Sequence, residues 1–342
     1  MPHRRKARRL VPKLLDWYRA HARDLPWRHT SDPYAIWVSE IMLQQTQVTT
    51  VIPYWKRWMR TLPTLHKLAR AKPECILKLW EGLGYYSRAR NLQSAAQKIV
   101  TEHGGVFPDE PGKIKELPGV GRYTTGAISS IAFGQAEPIV DGNIVRILTR
   151  IFGIRQNPKD KKTQEKLWEL AQTLVSATED CSDLNQSLME LGATVCHRGQ
   201  PECENCPVAR SCTAKREKTT HLIPAKGKPI RYEEKEIIVY VFARKGELLL
   251  QQRPGGFTNA GFWELPNNET GPDLPLPKNA QAIATARHNI TKYRIKLNAY
   301  SVNPSPFKGR WFTFSDLRKF PVSAAHRKIL KFLEPHVSRT IE

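Results

Sequence analysis

No stretch of this 342-residue chain approaches the roughly eighteen consecutive apolar residues that a membrane-spanning helix needs, so helical insertion into a bilayer is excluded. Acidic residues are scarce: 32 Asp plus Glu stand against 54 Lys plus Arg, a formal charge of +22. Such an imbalance calls for a polyanionic partner, and nucleic acid is the first candidate. Cysteine is rare as well, with six in all, too few for a disulfide-stapled secreted scaffold of this size. There is no internal repeat and no low-complexity tract. The basic start lacks the apolar core of a secretory leader, because Lys13 and Asp16 interrupt it. Leu10, Leu14 and Trp17 instead follow helical spacing, which predicts a basic amphipathic helix. The expectation is a soluble cytoplasmic protein, associated with the nucleoid, whose thiols stay reduced.

The length argues for more than one domain. Up to about residue 215 the apolar residues recur at three- and four-residue intervals, broken by turns such as SDP, GLGYY, FPDEPG and LPGVG, which predicts an all-α region over 1–215. Residues 216–234 are polar and lack an apolar period, so they read as a linker. EIIVYVFARKGELLLQQR then offers two strands around a turn at Lys245 and Gly246. A mixed α+β domain over 235–342 follows, closed by the helix AAHRKILKFLE.

Four of the six cysteines crowd into CHRGQPECENCPVARSC. Cys196, Cys203, Cys206 and Cys212 have the spacing C-x6-C-x2-C-x5-C. Structural zinc usually takes two close pairs, whereas here only Cys203 and Cys206 form one; a [4Fe-4S] cluster tolerates that asymmetry better. Cys75 and Cys181 read as small hydrophobes. In LPGVGRYTTG, Gly119 and Gly121 allow a close backbone approach before a helix N-terminus, a sequence-independent anchor for a phosphate, while Leu117 and Val120 would pack the hairpin together. Two carboxylates stand in apolar text. Glu40 lies a turn from Ile36, Trp37 and Leu43, where loss of water would favour its acid form; a mid-helix glutamate is otherwise a surface residue. Asp141, in VDGNIVRIL, reads on spacing alone as the N-cap of a strongly apolar helix.

The cysteine spacing and the hairpin resemble the helix-hairpin-helix DNA glycosylases related to endonuclease III. In that superfamily the cluster pins a basic loop against DNA, a role His197, Arg198 and Arg210 could serve here. LPWR, WVSEIMLQQTQV, GLGYYSRARNL, LPGVGRYTTGAI, PIVDGNIVRIL and NQSLMELG sharpen the resemblance to the MutY family of adenine DNA glycosylases, from about Leu25 to the end. It implies a six-helix subdomain over about 28–133 and a cluster subdomain from 1–27 plus 134–215. By the same resemblance Glu40 is the general acid toward adenine N7 and Asp141 stabilises the cationic sugar. Trp27, Arg28, Tyr123, Asn143 and Gln186 match positions that line or support the adenine pocket, and Gln45, Thr46 and Tyr85 match residues that wedge into the duplex. Relatives that also cut the strand carry a lysine where Tyr123 stands, so a monofunctional enzyme with no metal in its chemistry is implied.

GELLLQQRPGGFTNAGFWELP resembles the opening of a MutT-like (Nudix) domain, but the metal-binding glutamate helix of a working hydrolase is missing from the text after Pro266. In the MutY family this domain reads 8-oxoguanine through Phe-Ser-His; here Ile290, Thr291 and Lys292 occupy those positions, and a lysine offers only donors where histidine offers a planar ring. The implied partner is double-stranded DNA bearing an adenine mispair, bound by a monomer. Two alternatives stay open: a mismatch glycosylase of the same fold with another target or opposing base, and a catalytically inactive protein that binds damaged DNA.

Overall fold

The computed structural model describes residues 2–225, 227, 231–276, 280–302 and 306–337. Residues 226 and 228–230 of the expected linker lie outside them. Among the described residues twelve α-helices, α1 Pro2–His21, α2 Pro33–Leu43, α3 Val48–Thr61, α4 Leu65–Arg70, α5 Pro73–Trp80, α6 Ser87–Glu102, α7 Pro111–Lys115, α8 Arg122–Ile131, α9 Gly142–Phe152, α10 Lys161–Val175, α11 Cys181–Thr194 and α12 Thr213–Arg216, precede the first strand. The strands are β1 Glu233–Val241, β2 Ala243–Arg244, β3 Glu247–Gln252, β4 Trp263–Glu264, β5 Ala284–Ile290, β6 Tyr293–Ser301 and β7 Arg310–Phe312, with α13 Phe314–Leu317 and α14 Ala324–Val337 closing the chain. No helix among the described residues is long and apolar enough to cross a membrane.

Two compact units result: residues 1–69 with 94–228, and residues 70–93 with 229–342. In the first, α1 buries Ala7, Leu10, Val11, Leu14, Leu15 and Tyr18 and leaves its basic residues outside except Lys6, which is half-buried and donates to the Ile151 carbonyl. That stripe joins a core with Ile144, Ile147, Leu148 and Ile151 of α9 and Leu184, Leu188 and Leu191 of α11. Helix α2 packs on α8, whose Gly126 sits so close to the Pro138 carbonyl that a Cβ would lie 2.1 Å from the oxygen. The close approach at Gly126 holds α8 against the segment that leads into Asp141 and α9, while α2 packs on α8 separately.

In the second unit β1 and β6 pair in parallel and β6 and β5 antiparallel, while β3 pairs antiparallel with β2, β4 and β7. The turn at Lys245 and Gly246 has both residues at positive φ, 43° and 75°, the backbone a two-residue hairpin between twisted strands favours. The run before it does more than one hairpin arm: its first nine residues pair with β6, and only Ala243 and Arg244 pair with β3. Ile237, Val239 and Val241 enter one core cluster and Tyr240 and Phe242 another, which is why the text is apolar on both faces. Between β4 and β5 no helix occurs among the described residues.

Because the atom facing Gly126 is backbone and cannot swing away, Gly126→Ala should destabilise the first unit by about 1–3 kcal/mol. A denaturant midpoint equal to that of the parent chain would show that α8 and the segment before α9 need no such approach.

Candidate active site

Helix α2 opens on the sequence Asp-Pro: Asp32 accepts the Tyr34 amide at 3.0 Å and Pro33 needs no amide partner. Nine of its eleven residues are buried, among them Glu40, which is 4% exposed. The bland expectation of a solvated glutamate therefore does not hold. Burial pushes the Glu40 carboxyl up to about 7, reinforced by Asp141 and opposed by the Tyr123 hydroxyl, which donates to Glu40 Oε2 at 2.6 Å, and by Arg28. Tyr123 itself is driven well above its ordinary range, first by burial and then by the carboxylate beside it, so it stays a donor.

Asp141 caps α9 as its spacing suggested. Its Oδ1 accepts the amides of Asn143 at 3.0 Å and Ile144 at 2.7 Å, and Oδ2 accepts the Asn143 side-chain amide at 3.0 Å. Burial raises this carboxyl too, against the pull of those donors and of Arg146. The same three hydrogen bonds that fix the carboxyl also favour its charged form against burial, in place of water at a helix N-terminus.

Both carboxyls line one cavity of about 170 Å³, together with Trp27, Arg28, Thr46, Tyr123, Asn143 and Gln186. Trp27 is buried on the short 3-10 turn Pro26–Arg28, edge-on to Trp55. At the cavity wall sits an ion cluster absent from the sequence reading: Glu190, with its side chain fully buried, pairs with Arg23 at 2.6 Å and Arg28 at 2.8 Å. Removing Glu190 would leave two guanidiniums uncompensated, a loss of about 3–5 kcal/mol for a buried pair. The signal was available, since Glu190 falls one turn after Gln186 between Leu188 and Leu191.

Arg146 was also missed, although it falls one turn after Asn143. Only 4% exposed, it donates to Asn143 Oδ1 at 2.8 Å, to the Gly192 carbonyl at 2.8 Å and to the Cys196 carbonyl at 2.6 Å. The order is Cys196, Arg146, Asn143, Asp141: a chain of hydrogen bonds joins the cysteine loop to the capping carboxylate. Gly192 makes it possible, because a Cβ there would meet Asn143 Cβ at 2.5 Å.

The cavity shares Leu43, Thr46, Tyr123, Asp141, Asn143 and Ala193 with a groove of about 1100 Å³. Gln45, Gly119, Gly121, Arg122, His197 and Arg198 also line that groove. Gly119 has φ +77°, and Gly121 starts α8 with no side-chain cap and open space where a Cβ would be. Leu117 and Val120 are buried in the hairpin, so of the four residues named for the backbone anchor only the glycines border the groove. Arg210 does not line it. Tyr85, at φ +46° and half exposed, and the turn Ile290, Thr291 and Lys292 belong to the other unit.

All four clustered cysteines line a single cavity floored by Ile147, Leu191 and Val208. Arg150, 2% exposed, donates to Cys196 Sγ at 3.2 Å, and Lys215 lines the same cavity. Burial pushes the Cys206 thiol up to about 11, and its three neighbours add to that shift. Burial raises Cys203 and Cys212 as well, and four sulfurs gathered with cations beside them form a donor set for a strongly cationic core. Among the described residues no group of three or more Cys, His, Asp or Glu is arranged to hold a single metal ion.

Residues 38–173 match the family model described as HhH-GPD superfamily base excision DNA repair protein, and residues 237–332 match that of the NUDIX domain. A thermostable thymine-DNA glycosylase of known structure superposes with TM-score 0.57 at 32% identity, covering 62% of this chain and 98% of that one. An endonuclease III–DNA covalent intermediate superposes with TM-score 0.53 at 22% identity over 63% of this chain and 98% of that one, a likeness of fold. Fold and site thus define a helix-hairpin-helix DNA glycosylase, a DNA-binding hydrolase of base excision repair. An adenine DNA glycosylase of Rattus norvegicus is 36% identical across 94% of this chain and 77% of its own length, and one from Buchnera aphidicola (Schizaphis graminum strain) 31% identical across 94% and 97%. The chain belongs to the adenine DNA glycosylase family.

The raised Glu40 carboxyl has a cost in stability. Between its ordinary 4.5 and about 7 the unfolded chain has released a proton that the folded chain keeps, so stability falls as pH rises across that window, by at most about 1.4 kcal/mol per unit. Glu40→Gln should therefore raise the melting temperature above pH 7 and leave it unchanged near pH 4. An unchanged melting temperature at both values would place the carboxyl in water.

Proposed function

We propose that this glycosylase excises adenine mispaired with 8-oxoguanine or guanine and leaves an abasic site in an intact strand. The observation that carries the reading is the pairing, in one cavity, of a buried carboxyl held near neutrality with an anion fixed by three hydrogen bonds. A base turned out of the stack into that cavity meets Glu40, which gives its proton to the purine as the C1′–N9 bond breaks and the bonding pair leaves with the base. Asp141 faces the positive charge that develops on the sugar, and water then adds to C1′, its hydroxyl bonding to the sugar and its proton passing to the carboxylate that Glu40 became. Tyr123 holds the Glu40 proton donor in place, and Trp27, Arg28 and Gln186 wall the base. No lysine lines the cavity among the described residues, which supports hydrolysis without an imine.

Gln45 and Thr46 enter the duplex from the groove, while the glycines at 119 and 121 seat a phosphate; Tyr85 is a further wedge residue, carried by the other unit. The opposing base is read at Ile290, Thr291 and Lys292. Thr291 holds φ +51° at the β5–β6 turn, and Lys292 is tied to Glu233 at 2.6 Å, so the lysine is partly committed within its own unit. Cys196, Cys203, Cys206 and Cys212 hold a [4Fe-4S] cluster, which supplies no step of the chemistry and acts as a clip on the loop carrying His197 and Arg198. The enzyme works as a monomer on nucleoid DNA, and residues 235–342 serve recognition.

Single-turnover assays on duplexes with adenine opposite 8-oxoguanine or guanine should release adenine, with breaks appearing only after alkali. Glu40→Gln should slow release by roughly 10²–10⁴-fold with DNA affinity retained; breaks without alkali, or near-parent rates in that variant, would overturn the reading. Replacing residues 290–292 by alanine should change the rate ratio between the two opposing bases, and an unchanged ratio would remove the turn from recognition. Anaerobically purified protein should contain iron and inorganic sulfide in equal amounts, lost in Cys203→Ser, whereas zinc alone would contradict the cluster.

A further inference from the structure

The surplus of positive charge is concentrated at one place. Arg4, Arg5, Arg8, Arg9 and Lys13 stand exposed on the first half of α1, along about 13 Å of helix axis, and Asp16 is the first acid after them. Among the described residues none of these five cations enters an ion pair. On the second half of the same helix the pattern reverses, since Arg19 pairs with Asp180 at 3.0 Å and with Asp183 at 3.1 Å.

Folding gains nothing from this placement. The helix is fixed by its buried stripe, Leu10, Leu14 and Tyr18 among it, which joins the core of the first unit. The arginines meanwhile crowd the positive end of the helix dipole, and no acidic residue in the first turn offsets them. Arg4 and Arg8, Arg5 and Arg9, and Arg9 and Lys13 also set like charges one turn apart, each pair unfavourable to the helix.

Nor does the excision groove use these cations. Gly142, Asn143 and Arg146, at the start of α9, line that groove, and among the described residues none of α1 does. The first half of α1 meets the other end of α9: Lys6 donates to the Ile151 carbonyl at 2.5 Å, and the Phe152 ring lies edge-on to His3 at 5.5 Å. Nine residues of helix, roughly 13 Å, separate Gly142 from Ile151.

We propose that the exposed face of α1 is a second binding surface for duplex DNA, with which the enzyme grips a new segment before it releases the one in the groove. A duplex carries one charge per about 1.7 Å, so a stretch as long as the cationic run presents several phosphates, and guanidiniums pair with phosphate oxygens bidentately. A membrane suits the face less well, because the apolar side that an interfacial helix inserts is spent in the core. Surfaces at opposite ends of α9 hold two segments at once, and the enzyme passes between them without an unbound interval. The surface rests on the DNA-binding class of the protein and not on which base is excised.

The test holds the full-length holoprotein on a fluorescent duplex without a mispair and chases it with unlabelled duplex. Release from the parent should accelerate as the chase concentration rises, because the incoming duplex is seized before the bound one departs. In the combined variant Arg4→Gln, Arg5→Gln, Arg8→Gln, Arg9→Gln and Lys13→Gln the release rate should be independent of the chase. Sedimentation with excess short duplex at low salt should find two duplexes on each parent chain and one on each variant chain. The second affinity should fall with salt at a log–log slope of up to about −4.5, five phosphates at about −0.9 each. Since the variant removes only repulsion, it should keep the parent rate of base excision at saturating enzyme and melt no lower than the parent. A parent release rate indifferent to the chase overturns the proposal without recourse to the variant, and two duplexes bound by the variant overturn the assignment to α1. Loss of excision at saturating enzyme would place these residues among the groove's own contacts, and faster release with phosphatidylglycerol vesicles than with duplex would make a membrane the occupant; either result overturns a second DNA surface.

Discussion

A carboxyl held out of water is the constraint on which the first unit depends. Glu40 occupies the middle of a helix with nine of eleven residues buried, and among the described residues no cation forms an ion pair with it; a short hydrogen bond reaches it from a neutral phenol. That arrangement destabilises the charged form without removing the proton's path to a base in the cavity. The Tyr123 bond tempers the shift, and together with burial it leaves the acid near 7, where a proton is both present and transferable.

The second carboxyl has the opposite setting at short range. Asp141 is buried too, but the fold supplies it with two backbone donors and one amide side chain. The difference between the two acids is therefore one of hydrogen bonding and not of exposure alone. Around them the cations are assigned: Arg23 and Arg28 to Glu190, Arg146 to Asn143 and three carbonyls, Arg150 to the cysteine loop. None is left to neutralise Glu40 outright. The line from Cys196 through Arg146 and Asn143 to Asp141 also gives the cysteine cavity a mechanical connection to the site.

Much of this was legible in the sequence, for local reasons. Asp-Pro before an apolar run and Asp-Gly-Asn before another mark helix starts, and both caps form. The Lys245–Gly246 turn follows from two adjacent positive-φ positions. Glu40 was ambiguous on periodicity, since α2 has no polar face to reveal an orientation; burial on nearly every side comes from packing against α3 and α8 that spacing alone does not encode. Glu190 and Arg146 escaped for a related reason. A charged residue within an apolar helix looks like a surface position until its partners, far away in the chain, are known. The run 236–244 was read as one hairpin arm because pairing with β6, some sixty residues on, leaves no local mark.

The account stands or falls on the protonation of one side chain, and carbon-13 NMR of protein labelled at glutamate side-chain carboxyls observes it directly. A single resonance titrating near 7, absent from the spectrum of Glu40→Gln, is the expected result. If every glutamate titrates in the ordinary carboxylate range, the cavity does not keep its acid dry and the proton must come from elsewhere.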